Sequence, residues 1–217
     1  MLELAVKALL AYLLGSLMGA LLLGAARGVD IRSLGSGNAG GTNALRTQGT
    51  WFALGVVVID VSKGWAAAAL LPHWQMPFGF SVPTLSRDEL TVACAIAATL
   101  GHVYPVWWEF RGGKGAATLI GVLLGAVPSA LPPVLAVWLV TVVLTGYVGL
   151  STMLAMLALP VVFELRGDTS AAMLNFAVLM SIFVIYTHRA NIQRMRMGHE
   201  NRARRIWVGT YLRRHSS

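Results

Sequence analysis

Lys114 stands between Gly113 and Gly115 in the segment HVYPVWWEFRGGKG (102–115), a cation on a flexible turn. Two other segments offer related chemistry: GSGNAGGTN (35–43) and HRANIQRMRMGHE (188–200). Glycines let backbone N–H groups approach an anion, and Ser36, Asn38, Thr42 and Asn43 add donors to the first segment. Asn43 and Arg46 lie three residues apart near the start of a helix, where the dipole also favours an anion. His188, Asn191 and either Arg194 or Met195 share one helical face at spacings of three and four. Together these residue types describe a phosphate-binding pocket. A plain polar turn between helices accounts for any one segment taken alone.

Two familiar nucleotide motifs do not apply. Gly35, Gly37 and Gly40 satisfy GxGxxG only formally, because the segment follows an apolar helical run and not a strand. The Lys114 loop is not a Walker A loop, since Gly115 follows the lysine where Ser or Thr belongs. His102 reads either as a histidine hydrogen-bonded between helices or as part of the pocket. Tyr104, Trp107 and Trp108 suit a membrane-interface belt better than a ligand box.

The elements that carry these segments are membrane helices. Of 217 residues, 56% are hydrophobic and 12% charged, against about 25% charged in a soluble domain. Uncharged runs such as 8–26, 90–108 and 115–163 are continuous and lack the period-two alternation of a β-barrel. Crossing the hydrocarbon takes about 20 apolar residues as a helix. Clear spans fall at 4–25, 51–71, 90–108 and 171–187. The N-terminal run exceeds a signal peptide's apolar region and is expected to be a retained helix. Cys94, the single cysteine, reads as a small packing residue.

The stretch 115–163 fits three short helices, interrupted at Pro132–Pro133 and at Gly146–Gly149. Lys/Arg asymmetry supports three over two. A seven-helix all-α polytopic chain puts Arg27, Arg32, Arg46, Arg111, Lys114 and the arginines from 189 to 214 on one side. Lys7, Arg87 and Arg166 are left on the other. The expectation is an N-terminus outside (periplasmic) and a C-terminus in the cytoplasm, with all three polar segments on the cytoplasmic face. Residues 1–200 are read as one membrane domain and 201–217 as a basic tail that touches anionic lipid. Most of the net charge of +8 comes from that tail, and nothing suggests nucleic acid. The loop 72–89 shows no chemistry. Asp60 and Lys63 lie halfway along the second span, three apart; beside the polar segments they read as a wall supporting a polar cavity, with a structural ion pair as the alternative.

The three segments, in this order at these helix ends, resemble the PlsY-type acyl-phosphate-dependent glycerol-3-phosphate acyltransferases of bacterial membranes. The family pattern runs close to GSGNPGATN, GHxxPxxxxFxGGKGxA and HxxNIxRxxxGxE, with a DxxKG matched by Asp60-Val-Ser-Lys63-Gly64. The resemblance covers the chain up to Glu200. Ala39 and Gly41 replace the family's proline and alanine. Gly146-Tyr-Val-Gly149-Leu stands where the family often has RYVSL, so a role for that serine is in doubt here, with Ser151 or Thr152 as substitutes.

The resemblance implies acyl transfer from acyl phosphate to the sn-1 hydroxyl of glycerol 3-phosphate, without metal or cofactor, in the bacterial inner membrane. Implied partners are the two substrates, membrane lipid and the enzyme that makes acyl phosphate; the chain is expected to be a monomer. Ser36, Lys114, His188 and Asn191 are the expected catalytic residues. Lys114, Arg46 and the amides of Gly112 and Gly113 are expected to hold phosphate. Gly37, Asn38, Thr42, Asn43, His102, Arg194 and Glu200 complete the substrate sites. No GxSxG elbow is present, so no acyl-enzyme is expected. The competing class is an organic-phosphate transporter, against which stands the absence of a matching polar set on the other face.

Overall fold

The computed structural model describes residues 2–75 and 85–210. Part of the loop 72–89, and Arg213 and Arg214 of the tail, lie outside them. The described residues form ten α-helices: α1 (Leu2–Gly15), α2 (Gly19–Ala26), α3 (Gly41–Gln48), α4 (Thr50–Ala69), α5 (Arg87–Val103), α6 (Ala116–Ala126), α7 (Leu131–Thr145), α8 (Val148–Arg166), α9 (Ala171–Thr187) and α10 (Arg189–Arg196). The expectation of one domain over 1–200 meets a chain that clusters into two compact units, Met1–Pro128 and Ser129–Ser217.

Four segments are long and apolar enough to cross a membrane: Thr50–His73, Arg87–Trp108, Pro128–Thr145 and Val148–Arg166. Two bent pairs, α1 with α2 at 45° and α9 with α10 at 52°, bring the number to as many as six. The remaining apolar helix, α6, has 11 residues, about 16 Å at 1.5 Å per residue. The side chains facing outward suit lipid, with Trp51 and Leu165 each 83% exposed.

The stretch 115–163 does hold three helices, but one boundary falls elsewhere than expected. Pro132 and Pro133 sit in the first turn of α7, where a missing N–H costs nothing. The break precedes them, at 127–130. The second break is at Gly146, whose φ of +77° ends α7 in the left-handed conformation. Ser86 and Glu89 begin α5 with a reciprocal capping box: the Glu89 N–H donates to Ser86 Oγ at 3.2 Å and the Ser86 N–H to Glu89 Oε2 at 2.6 Å.

In the first unit α1 packs on α5 and α4 on α6. Both contacts are backbone to backbone. A Cβ on Gly15 would strike the Ala98 carbonyl, and one on Gly101 the Tyr12 carbonyl. On the other seam, Gly64 abuts Thr118, Gly121 abuts Val61 and Gly125 abuts Trp65. Small residues at crossings are the usual solution in lipid, where close packing and not water exclusion holds helices together. In the second unit α8 packs on α7 and α9, and α10 touches both α8 and α9.

Candidate active site

The first polar segment is shaped from within by Asn43. This side chain is 1% exposed. Its Nδ2 donates to the carbonyls of Ile31 (3.2 Å) and Leu34 (2.9 Å), and its Oδ1 accepts from the Ser36 N–H at 2.9 Å. Three of the carboxamide's four hydrogen-bonding positions are engaged in the loop. Gly35, at φ +57°, makes room, since a Cβ there would run into Asn43 Oδ1. Asn43 is thereby a shaper of the loop, and Ser36, Gly37, Thr42 and Arg46 are left exposed around it. Helix α3 has Gly40 as its N-cap and so no side-chain cap.

The second segment returns onto the end of α5. Glu109 and Phe110 both take positive φ, 59° and 57°, a conformation that non-glycine residues adopt at a cost. The Gly112 N–H then donates to the Val103 carbonyl and the Gly113 N–H to that of His102, both at 3.1 Å. Expected to meet phosphate, these two amides instead satisfy carbonyls that α5 leaves open at its C-terminus. Lys114 follows, half-buried, and α6 begins after Gly115, which has φ +87° and provides no side-chain cap.

His102 joins the two segments. Gly113 lies against its ring and against Ala39 of the first loop, where a Cβ would come 2.9 Å from the carbonyl oxygen. Arg32 adds a second tie, donating from Nη1 to the Trp108 carbonyl at 3.1 Å while pairing with Asp30. The Arg32 guanidinium beside Asp30 holds that exposed carboxyl below the usual carboxylate range.

Behind His102 lies a buried polar cluster. His102 Nδ1 is 3.0 Å from Thr118 Oγ1 and 3.6 Å from Asp60 Oδ1. Asp60 Oδ1 also accepts from Lys63 Nζ at 2.9 Å and from the Gly19 N–H at 3.2 Å. Lys63 Nζ in turn donates to the Leu17 carbonyl at 2.9 Å. Asp60 and Lys63 therefore serve the backbone exposed by the bend between α1 and α2. In hydrocarbon that backbone needs such partners. Of the two sequence readings, packing of helices is the one the contacts describe. Thr118 and Gly19 carried no sequence signal of this role.

The second unit presents its own set. At the bend between α9 and α10, His188 Nδ1 lies 2.8 Å from the Val184 carbonyl. The tautomer with Nδ1–H donates to that carbonyl, while Thr187 Oγ1, 3.3 Å from Nδ1, can donate to the other tautomer. Asn191 Nδ2 donates to Glu200 Oε1 at 2.8 Å, and Arg194 Nε to Glu200 Oε2 at 2.6 Å. Arg194 and Glu200, expected among the substrate residues, are paired with each other. Gly149, where the family pattern has serine, lies so close to Asn191 that a Cβ would sit 2.8 Å from its Nδ2. The two hydroxyls suggested as substitutes bond inside α8: Ser151 donates to Tyr147 (2.9 Å) and Thr152 to Val148 (3.0 Å). Arg202, assigned to lipid, stacks instead on the Tyr147 and Trp207 rings.

The comparisons with known proteins bear on this arrangement directly. The family model described as glycerol-3-phosphate acyltransferase matches residues 5–198. A glycerol-3-phosphate acyltransferase of Sinorhizobium fredii is 42% identical over 192 residues, covering 88% of each chain. One from Agrobacterium fabrum is 40% identical, covering 92% of this chain and 91% of that one. Among solved structures, PlsY (YgiH), an integral membrane glycerol 3-phosphate acyltransferase, superposes in its glycerol 3-phosphate form with a TM-score of 0.80 at 32% identity. That match covers 92% of this chain and 94% of PlsY. Its lysophosphatidic acid form gives 0.78. Because the resemblance of the three polar segments extends to sequence and fold over nearly the whole length, this chain belongs to the glycerol-3-phosphate acyltransferase family.

Proposed function

We propose that the chain transfers an acyl group from acyl phosphate to the sn-1 hydroxyl of glycerol 3-phosphate at the cytoplasmic face of a bacterial inner membrane. Family membership and the two ligand-bound forms of PlsY, one with glycerol 3-phosphate and one with the acylated product, support this reading. The chain crosses seven times, N-terminus outside, with α6 completing the count where the bilayer thins around a short helix.

The hydroxyl oxygen attacks the acyl carbonyl carbon. An ester C–O bond forms, the bond from that carbon to the phosphate oxygen breaks, and inorganic phosphate leaves. The hydroxyl proton passes to an oxygen of the departing phosphate. Acyl phosphate is already an activated anhydride, so alignment and charge stabilisation are the protein's task. Lys114, Arg46 and the first-turn amides of α6 hold phosphate, Ser36 and Asn191 orient substrate, and His188 donates to it. A second reading makes His188 Nε2 the proton acceptor, in the tautomer whose Nδ1–H donates to Val184, and the 2.8 Å from Nδ1 to that carbonyl is the observation that favours it.

The observation that carries the proposal is the packing of Gly113 against the His102 ring and the Ala39 carbonyl. It lays the Lys114 loop on the GSGNAGGTN loop within one unit. The test is purified protein given acyl phosphate and glycerol 3-phosphate, with phosphate and lysophosphatidate both measured. A transporter or a lipid receptor yields neither. Lys114→Ala should lower kcat about 10²-fold or more, the scale of losing one oxyanion donor, with thermal stability unchanged. Normal turnover by that variant overturns the phosphate site.

A further inference from the structure

The family match ends at residue 198, yet the chain beyond it is built into the second unit. The Arg202 guanidinium lies over the Tyr147 ring at 4.5 Å from its centroid and over the Trp207 ring at 4.1 Å. A cation held between two aromatic faces is attracted by both ring quadrupoles. Trp207 Nε1 donates to the Leu144 carbonyl at 3.1 Å, and the Ala203 N–H to the Gly146 carbonyl at 2.7 Å. The fit depends on Gly146. A Cβ there would come within 3.0 Å of Trp207 Cγ and 3.1 Å of Arg202 Cβ, on a backbone whose φ is +77°.

This contact matters because of what lies at its two ends. The turn gripped by the tail leads straight into α8, whose Gly149 forms one wall beside the Asn191 carboxamide. The tail itself starts from Glu200, whose Oε1 accepts from the same Asn191 Nδ2 at 2.8 Å. Tying the tail to the turn therefore fixes the distance between the wall and the carboxylate. We propose that Arg202 and Trp207 form a clasp that positions Asn191 for the reaction. This rests on the assignment of Asn191 to the substrate site made above. Neither clasp residue touches substrate; both act through Asn191.

Misplacing a substrate-orienting group by about 1 Å can cost on the order of 10²-fold in rate. In steady-state kinetics, Arg202→Ala should lower kcat about 10-fold, with KM for both substrates within about 2-fold and an unchanged melting temperature in detergent. Trp207→Phe keeps a ring for Arg202 and should stay within about 3-fold of the parent kcat. Arg202→Lys keeps the charge but loses the flat stack, and should fall between them; it carries the test if the alanine variant does not fold. Arg204→Ala removes a nearby tail charge and should have no effect. A loss for Arg204→Ala equal to that for Arg202→Ala overturns the clasp in favour of charge contact with lipid. Unaltered kcat in both Arg202 variants, beside an active parent, overturns the clasp alone. A parent protein with no turnover overturns the functional reading and the clasp's catalytic role together.

Discussion

The two bent helices of this chain solve the same problem by different means. Between α1 and α2, at 45°, the opened backbone is completed by a remote ion pair: Lys63 serves the Leu17 carbonyl and Asp60 the Gly19 N–H. Between α9 and α10, at 52°, the main chain stays bonded through the bend: the His188 N–H donates to the Val184 carbonyl at 3.0 Å, and His188 Nδ1 adds a second contact to that same carbonyl. The first bend lies in mid-span, opposite the middle of α4. The second lies where α9 gives way to a polar helix. In hydrocarbon an orphaned amide or carbonyl has to recruit a partner from another helix, whereas a bend that keeps its backbone hydrogen bonds needs none.

The contrast can be broken experimentally. Asp60→Ala leaves the Lys63 ammonium buried without its partner, and removing one member of a buried pair costs about 3–5 kcal/mol. Thermal unfolding in detergent should show that loss, and the double variant Asp60→Ala with Lys63→Met should recover part of it. A fully stable Asp60→Ala protein would make the remote repair dispensable and sink the comparison. His188→Gln should cost only about 1 kcal/mol, the scale of one hydrogen bond, because the Val184 carbonyl keeps the backbone N–H of residue 188. Its kcat sharpens the mechanism as well. Retention within about 10-fold fits proton transfer to the substrate's own phosphate, while a drop of about 10³-fold or more assigns the proton to His188.

Exposed charge should matter least. Asp30 has its carboxyl pKa lowered chiefly by the hydrogen bonds from Arg32. A lowered folded-state pKa contributes stability that is present above the ordinary Asp value of about 3.9 and disappears as pH falls through the folded value. The effect at this solvated site is a few tenths of a kcal/mol at most. Melting curves of Asp30→Asn and the parent should therefore nearly coincide at pH 7 and converge as pH falls below the lowered value of the folded carboxyl. A large gap at neutral pH would show that the Arg32 tie carries more than its exposure allows.

Much of this was readable in the sequence. Long uncharged runs announced membrane helices because lipid imposes composition along a whole span, and Gly146 announced a helix end because its left-handed φ suits glycine. The three polar segments stood out because each gathers glycines, polar side chains and cations within a few residues, and they carried the resemblance to the family that matches residues 5–198. Partners were not readable. Nothing local says that Asn43 binds its own loop, that the Gly112 and Gly113 amides close α5, or that Glu200 faces Arg194. Each of those pairings is fixed by which backbone groups the fold leaves open, a property of the assembled chain. The position of the break near Pro132 was misread for a related reason: proline stops a helix from continuing but begins one without penalty.

The glycine seams of the first unit have one more consequence, for the path of a fatty chain. Where Gly15 and Gly101 bring α1 and α5 into backbone contact, and Gly64, Gly121 and Gly125 do the same for α4 and α6, no hydrocarbon tail can slip between the helices. These two joints act as sealed edges of the unit. Under the proposed acyl transfer, a long acyl donor diffusing in the bilayer reaches Lys114 by some other flank, and the tightness of these crossings narrows the lateral route to that loop.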